Sequence, residues 1–317
     1  MSFTARIFDT HRMATDDGPG LRTTLFLKGC PLNCAWCHNP ESISPAREVW
    51  WFAKKCIGCG ACVEACPEKA LSLSAEKGIQ IRRDLCTGCG KCVEVCPSKA
   101  MELLGASWSV EQARDYLLRD RMFYETSNGG VTVSGGEPTL QSAFVSALFQ
   151  SLQEEGIHTA LDTCGLAQWT VFEQLIPHTN LFLWDIKTID PVAHQKYTES
   201  SNEIILENLL KLADALRKKP SSKLWIRTPL IPGMTAGSEN IRAIAKFIYT
   251  HLSDVVERWE LCAFNGGCTP KYERMGQKWE LAGTPAMTEQ EIQTLKEELS
   301  DFPVLASISY FTGLVKS

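Results

Sequence analysis

Cys30, Cys34 and Cys37 stand in the run LKGCPLNCAWCHNPES, a C-x3-C-x2-C spacing. Thiolates are soft ligands that select iron–sulfur clusters or zinc, and loop spacings this short converge on one metal centre. Three ligands leave the fourth corner of a four-iron cluster without a cysteine. His38, next to Cys37, is expected to turn away rather than complete the set. An iron with an open position accepts a small molecule, as a catalytic zinc does. The competing reading is a structural zinc loop or a set of inert buried thiols. The aromatic Trp36 within this spacing favours the cluster.

Eleven of the fourteen cysteines fall between Cys30 and Cys96. The segment CIGCGACVEACP (Cys56, Cys59, Cys62, Cys66) recurs thirty residues later as CTGCGKCVEVCP (Cys86, Cys89, Cys92, Cys96). Disulfides belong to oxidising compartments, whereas tight C-x2-C pairs in a chain of this size read as metal ligands. The run C-x2-C-x2-C-x3-C-P is the bacterial ferredoxin signature, whose fourth cysteine ligates the other cluster. Cys56, Cys59, Cys62 and Cys96 are therefore expected to hold one [4Fe–4S] cluster, and Cys66, Cys86, Cys89 and Cys92 its companion. Glycines 58, 60, 88 and 90 let backbone approach the sulfides, and Pro67 and Pro97 turn the chain away. With every corner filled, these clusters carry electrons rather than bind substrate. Cys164 and Cys262 read as small buried hydrophobes; Cys268, in a glycine-rich loop, is expected to be more exposed.

The elements that must position these groups follow from the rest of the chain. Its 317 residues, 44% hydrophobic, suffice for one large α/β domain plus a small appendage. A net charge of −5 without a basic stripe argues against a nucleic-acid partner. No apolar run is long enough to span a bilayer, and MSFTARIFDTHR lacks a signal peptide's apolar core, so a cytoplasmic, membrane-free location is expected. Residues 3–28 read as a strand, a turn at TDDGPG and a second strand. After Gly105, SVEQARDYLLRDRMFYE reads as a helix capped by Ser107 or Ser109.

Strands then alternate with helices. GGVTVSG precedes a helix near 140–155, IHTALDT one at 169–176, and LFLWDIK two helices between 191 and 217. LWIRTPLI leads to a helix at 239–252, RWELCAF to one at 288–299, and a last strand is expected near Val304–Ile308. Strands separated by helices imply a parallel sheet, with ligands gathered at the carboxyl ends. There stand Gly135-Gly136-Glu137, Asp162-Thr163, and Asp185 with Lys187. Charged groups closing apolar strands need partners, which a zwitterionic ligand supplies; rim solvation is the plainer alternative.

Taken together, C-x3-C-x-φ-C with an aromatic φ and the GGEP turn resemble the radical SAM superfamily. TDDGPGLRTTLFLKGCPLNCAWCHNPES is similar to the opening of the glycyl-radical enzyme activating enzymes, the group that includes pyruvate formate-lyase activase. The resemblance implies a partial (β/α)6 TIM-type barrel over residues 1–49 and 105–317, with a ferredoxin-like dicluster insertion at 50–104. It further implies three [4Fe–4S] clusters and S-adenosylmethionine. Gly135, Gly136 and Glu137 would hold the methionine amino group, and Asp185 and Lys187 would contact the same cofactor. Asp162 and Thr163 would lie at a monovalent-cation site. Arg227, in WIRTPLIPG, would meet ribose or a carboxylate, with a structural salt bridge as the alternative. Where pyruvate formate-lyase activase has Tyr-His, this chain has Phe264-Asn265, leaving Asn265 as the hydrogen-bonding group; KYERMG then returns to the family pattern.

The implied activity is reductive cleavage of S-adenosylmethionine and hydrogen-atom abstraction from a glycine of a partner glycyl-radical enzyme, with flavodoxin or ferredoxin as electron donor. A radical SAM enzyme acting on a small molecule and a pure electron carrier are the rivals. DGPG-x-R and CHNP count against the first, and GGEP and D-x-K against the second.

Overall fold

The computed structural model describes residues 3–218 and 220–313. A long strand β1 (Thr4–Ala14) turns through the TDDGPG loop into β2 (Arg22–Leu27). The cysteine loop follows, and the chain then leaves the main sheet as β3 (Glu48–Trp51), hairpin β4 (Leu71–Ser74) and β5 (Gly78–Ile81), and β6 (Met101–Leu104). It rejoins the sheet at β7 (Ala106–Ser109), β8 (Gly130–Gly135), β9 (His158–Thr163) and β10 (Leu181–Asp185). The remaining strands are β11 (Lys223–Leu230), β12 (Val256–Ala263) and β13 (Ser309–Thr312).

Nine strands form one sheet in the order β13-β12-β11-β10-β9-β8-β2-β1-β7. From β2 to β13 every neighbouring pair is parallel, which the intervening helices require; β1 pairs antiparallel with both β2 and β7. Alternation along each strand sorts side chains to two faces. One face packs Leu25, Leu27, Val131, Val133, Leu161, Phe182, Trp184, Ile226 and Trp259 with the helices, among them Phe144, Leu148 and Phe149 of the helix Ser142–Glu154. The opposite face carries the apolar cluster Ala160, Leu181, Leu183 and Trp225 near the strand beginnings. Farther along, the same face carries Asp162, Asp185, Arg227 and Glu260, with Asp185 beside Arg227 and Arg227 beside Glu260 in register.

Two sequence expectations are corrected. Val304–Ile308 is not the last strand: Pro303–Ile308 is a short helix, begun by Pro303 and anchored by buried Leu305, and the strand beside β12 starts at Ser309. The helix predicted from Ser109 through Glu125 breaks into Val110–Leu117 and Arg121–Ser127 around a 3-10 turn. The turn drops Asp120 into the fold, where its carboxylate accepts from Thr23 Oγ1 at 2.7 Å and pairs with Arg12. Ser109 caps the first helix through a capping box with Gln112.

In the insertion the two repeats superpose in kind. Each has a four-residue helix, Ala61–Glu64 or Lys91–Glu94, after a left-handed glycine, Gly60 or Gly90. β3 and β6 pair antiparallel and so bring the two ends of the insertion together.

Candidate active site

The Cys30–Cys37 loop is held at its edges by main-chain and ring contacts. Gly29 N and Cys30 N donate to Ser42 O and Ile43 O, and Asn33 N and Ala35 N donate to Thr198 O and Tyr197 O. Tyr272 Oη donates to Cys37 O at 2.9 Å, Trp279 Nε1 to Ala35 O at 2.8 Å, and the two rings stack with centroids 5.3 Å apart. Lys271 reaches from the same segment to Asn39 Oδ1 at 2.7 Å and Glu41 Oε1 at 2.8 Å. Burial pushes the Cys30, Cys34 and Cys37 thiols up, Cys30 further by Glu137 and Cys37 by Cys34. Bound iron reverses that order, because a coordinating thiol is deprotonated outright.

The GGEP turn lies directly on this loop. Gly136 N donates to Leu27 O at 2.8 Å and Glu137 N to Gly29 O at 2.6 Å. A Cβ on Gly136 would stand 2.2 Å from Gly29 O, and Gly135, at φ +115°, has Leu27 N 2.4 Å from the same position. Both glycines are thus needed for backbone packing. The carboxylate of Glu137, expected to face an ammonium group, is fully buried against protein donors instead. It accepts from Thr139 N at 3.0 Å, Thr163 Oγ1 at 2.8 Å and Cys164 N at 2.7 Å.

A cavity opens at the carboxyl ends of the strands, with Trp36 and His38 of the cysteine loop in its wall together with Asp162, Asp185, Lys187, Arg227 and Asn265. Asp185 Oδ2 pairs with Lys187 Nζ at 2.5 Å. Burial opposes the Lys187 charge, but Asp185 and the nearby Cys34 more than offset it, so Lys187 stays protonated. Arg227 gathers four groups: Asp162 Oδ1 at 3.4 Å, Glu260 Oε2 at 3.3 Å, Asp17 Oδ1 at 3.9 Å, and Asp16 O, to which it donates at 3.1 Å. Asp162 also accepts from Ser134 Oγ at 2.6 Å. Burial raises Asp162 to about 6, with Arg227 opposing.

The TDDGPG loop is therefore more than a turn, because it lies against the charged face. Arg22, fully buried, anchors it by donating to Pro19 O and to Thr132 Oγ1 and Val131 O of β8.

The structure separates two residues that the sequence reading joins. Asp162 and Thr163 are consecutive on β9 and so leave it on opposite faces. Asp162 enters the cavity, while the Thr163 hydroxyl donates to Glu137 and accepts from Gly165 N. Asn265 lines the cavity, but its Oδ1 already accepts from Gly267 N at 3.0 Å. His38 Nε2 is 3.0 Å from Asn265 O, so its ring is engaged by the cavity wall, where the chain lacks the Tyr-His pair, rather than completing the cysteine set. Cys262 also lines the cavity, and Cys268 is buried beside Trp36, Phe264 and Trp279 rather than exposed. Trp36, His38, Asp16 and Cys262 are among the wall residues that the sequence motifs did not mark. The clues were the adjacency of the first two to Cys37, and the placement of Cys262 on the charged face of β12.

The insertion's cysteines gather around two small voids. One is lined by Cys56, Cys59, Cys62 and Cys96, the other by Cys66, Cys86, Cys89 and Cys92. These are the crossed sets expected from the spacing. Cys66 Sγ and Cys96 Sγ accept from Ala70 N and Ala100 N at 3.3 and 3.2 Å, the backbone contacts that cluster thiolates take. Among the described residues no three His, Cys, Asp or Glu side chains converge on a single-ion site.

Comparison with known proteins agrees with this geometry. Residues 95–248 match the radical SAM superfamily and residues 55–100 a 4Fe-4S dicluster domain. A radical SAM methyltransferase from Sphaerobacter thermophilus shares the fold at a TM-score of 0.53 and 12% identity, over 97% of this chain and 77% of that one. The chain is 43% identical to the (2S)-3-sulfopropanediol dehydratase activating enzyme of Klebsiella oxytoca, over 87% of this chain and 86% of that protein. It is 36% identical to the trans-4-hydroxy-L-proline dehydratase activating enzyme of Clostridioides difficile, over 93% and 97%. The benzylsuccinate synthase activating enzyme of Thauera aromatica is 35% identical over 97% and 93%. The fold and the cysteine loop define a radical SAM protein. Within that class, the chain belongs to the activating enzymes of glycyl-radical enzymes. It cleaves S-adenosylmethionine reductively and abstracts a hydrogen atom from a glycine of its partner enzyme. Among the described residues no helix is long and apolar enough to cross a membrane.

Proposed function

We propose that residues 1–49 and 105–317 form the catalytic unit, a partial (β/α)6 barrel, and residues 50–104 an electron-carrying insertion. Cys30, Cys34 and Cys37 would hold one [4Fe–4S] cluster, and the two crossed quartets of the insertion would hold two more. The first, when bound, supplies the electron that breaks the sulfonium bond of S-adenosylmethionine. The observation that carries this reading is the cavity whose wall joins Trp36 and His38 to Asp162, Asp185, Lys187 and Arg227.

A zwitterionic methionine moiety matches those charges. Lys187 offers an ammonium to the carboxylate, and Asp185 and Asp162 offer acceptors to the amino group or ribose. Gly135 and Gly136 serve by close backbone packing, and Glu137 by orienting Thr163 and Cys164. A monovalent cation would draw on Asp162 without the Thr163 hydroxyl, and Asn265 on its side-chain amide nitrogen. The protein substrate is a glycyl-radical enzyme; glycine has no Cβ to hinder its entry. The Klebsiella relative's sulfopropanediol dehydratase is the first partner to try.

Anaerobic reconstitution, reduction with dithionite and addition of S-adenosylmethionine should yield 5′-deoxyadenosine from the wild type and none from Cys34→Ala. A glycyl-radical signal on the added dehydratase would identify the partner. Wild-type protein with its clusters intact that neither binds S-adenosylmethionine nor yields the product would sink the assignment.

A further inference from the structure

The two cysteine loops of the insertion are copies in sequence, but their surroundings differ. In the Cys86–Cys89 loop, Gly88 and Gly90 are buried. A Cβ on Gly88 would lie 2.4 Å from Arg47 O, and one on Gly90 3.1 Å from Leu103 Cδ2. Arg83, just ahead of it, donates to Val49 O at 2.6 Å and to Arg274 O at 2.9 Å. Arg274 ends the helix Thr269–Arg274 that carries Lys271 and Tyr272 to the Cys30–Cys37 loop. The second copy is thus packed toward the catalytic side.

The first copy faces outward. A Cβ on Gly58 or Gly60 would meet nothing within 4 Å, and Ile57 is 67% exposed; Cys59 is exposed, as is its counterpart Cys89. Lys54 and Lys55 precede it, both exposed, where the second copy has Asp84 and Leu85; Ile57 replaces Thr87. Lys55 sits over the Phe52 ring at 4.7 Å, which keeps its charge beside the loop. The outcome is an isolated apolar tip flanked by two cations, next to Cys56 and Cys59, on a chain of net charge −5.

We infer that this face, Lys54, Lys55 and Ile57, docks a small acidic one-electron carrier protein; the inference rests on the reading that the insertion holds two clusters. A local positive patch on an acidic protein steers an acidic partner to one place and repels it elsewhere. Transient redox contacts are small, below about 1,200 Å², so one loop with its flanking lysines suffices. Each docking transfers one electron: the carrier is oxidised by one, the group held by Cys56, Cys59, Cys62 and Cys96 is reduced by one, and no proton or covalent bond changes hands. The second loop, its glycines packed on Arg47 and Leu103, then stands on the side from which the electron leaves toward Cys30.

The test uses the fully loaded enzyme and photoreduced flavodoxin as the probe, following bleaching of iron–sulfur absorbance by anaerobic stopped flow. The double variant Lys54→Glu/Lys55→Glu should lower the second-order reduction rate at least tenfold at low ionic strength, and the gap should close as salt rises. Lys91→Glu, exposed on the other copy, should react as the wild type does. Iron and sulfide content and reduction by dithionite should be the same in all three, so a folding defect would be visible. A wild-type rate in the double variant, or an equal loss in Lys91→Glu, overturns the docking surface. Wild-type protein lacking the iron for the two quartets would overturn the underlying reading instead.

Discussion

Replacing Arg227 by Met keeps most of the side chain's volume and removes the cation that pairs with Asp162, Asp17 and Glu260 across the charged end of the sheet, leaving Arg258 as the partner of Glu260. At an effective dielectric of about 20, a unit pair at the 3.4 Å of the Asp162 contact is worth roughly 5 kcal/mol before desolvation. Removing one partner of such a buried set leaves charge uncompensated, which costs about 3–5 kcal/mol. At roughly 2–4 °C per kcal/mol, the melting temperature should fall by about 6–20 °C.

The pH dependence follows from Asp162. Its native pKa, about 6, is raised by burial above the unfolded value, so its protonated form favours the fold at low pH, and that contribution is lost as pH rises through the native pKa. Without Arg227 the pKa moves higher still. The variant should therefore go on losing stability between pH 6 and 8, where the wild type has mostly finished, and the gap between the two should widen by up to about 1.4 kcal/mol per pH unit. Anaerobic thermal melts at pH 6, 7 and 8, with clusters loaded, measure both effects. A difference below about 1 kcal/mol that does not change with pH would show that water screens these charges, and the reasoning would fail.

Two further outcomes follow from the packing around the GGEP turn. Glu137→Ala should cost about 3–9 kcal/mol by denaturation, because Thr139 N, Thr163 Oγ1 and Cys164 N lose their acceptor at about 1–3 kcal/mol each; Glu137→Gln, which keeps one oxygen, should lose about half as much. Equal stability in all three proteins would mean that the carboxylate is free for ligand after all. Gly165→Ala should reduce soluble yield and lower stability by about 3 kcal/mol or more. Its φ is +79° and its Cβ would stand 2.2 Å from the buried Trp184 ring. A melting temperature within a degree or two of wild type would contradict that packing.

Much of the chemistry is local in the chain and therefore legible in it. The spacing of Cys30, Cys34 and Cys37 requires only a loop, and the thirty-residue repeat implies its crossed ligand sets because the motif itself does. The strands from Gly130 to Ala263 follow from hydrophobic runs bounded by turns and helices. The charges at their ends mark the cavity because parallel strands present their carboxyl ends together. Reading failed where local preference was outvoted. Pro303–Ile308 is β-prone in composition but starts with a proline suited to a helix, and Asp120 breaks a helical run for buried hydrogen bonds.

The amino-acid order by itself determined which cysteines share spacings suited to metal, that they repeat at thirty residues, and that strands alternating with helices form a parallel sheet. Folding decided which way each polar group points. Alternation on β9 sends Asp162 into the cavity and Thr163 to Glu137, and Arg227 gathers acids from Asp17 to Glu260, distant in sequence. Two loops of nearly identical sequence end in different surroundings, the glycine of one covered by Arg47 and the other open beside Lys54 and Lys55. The physical reason is the same in each case: cluster ligation is set by short-range spacing along the chain, whereas burial and charge pairing depend on neighbours that only the tertiary structure supplies.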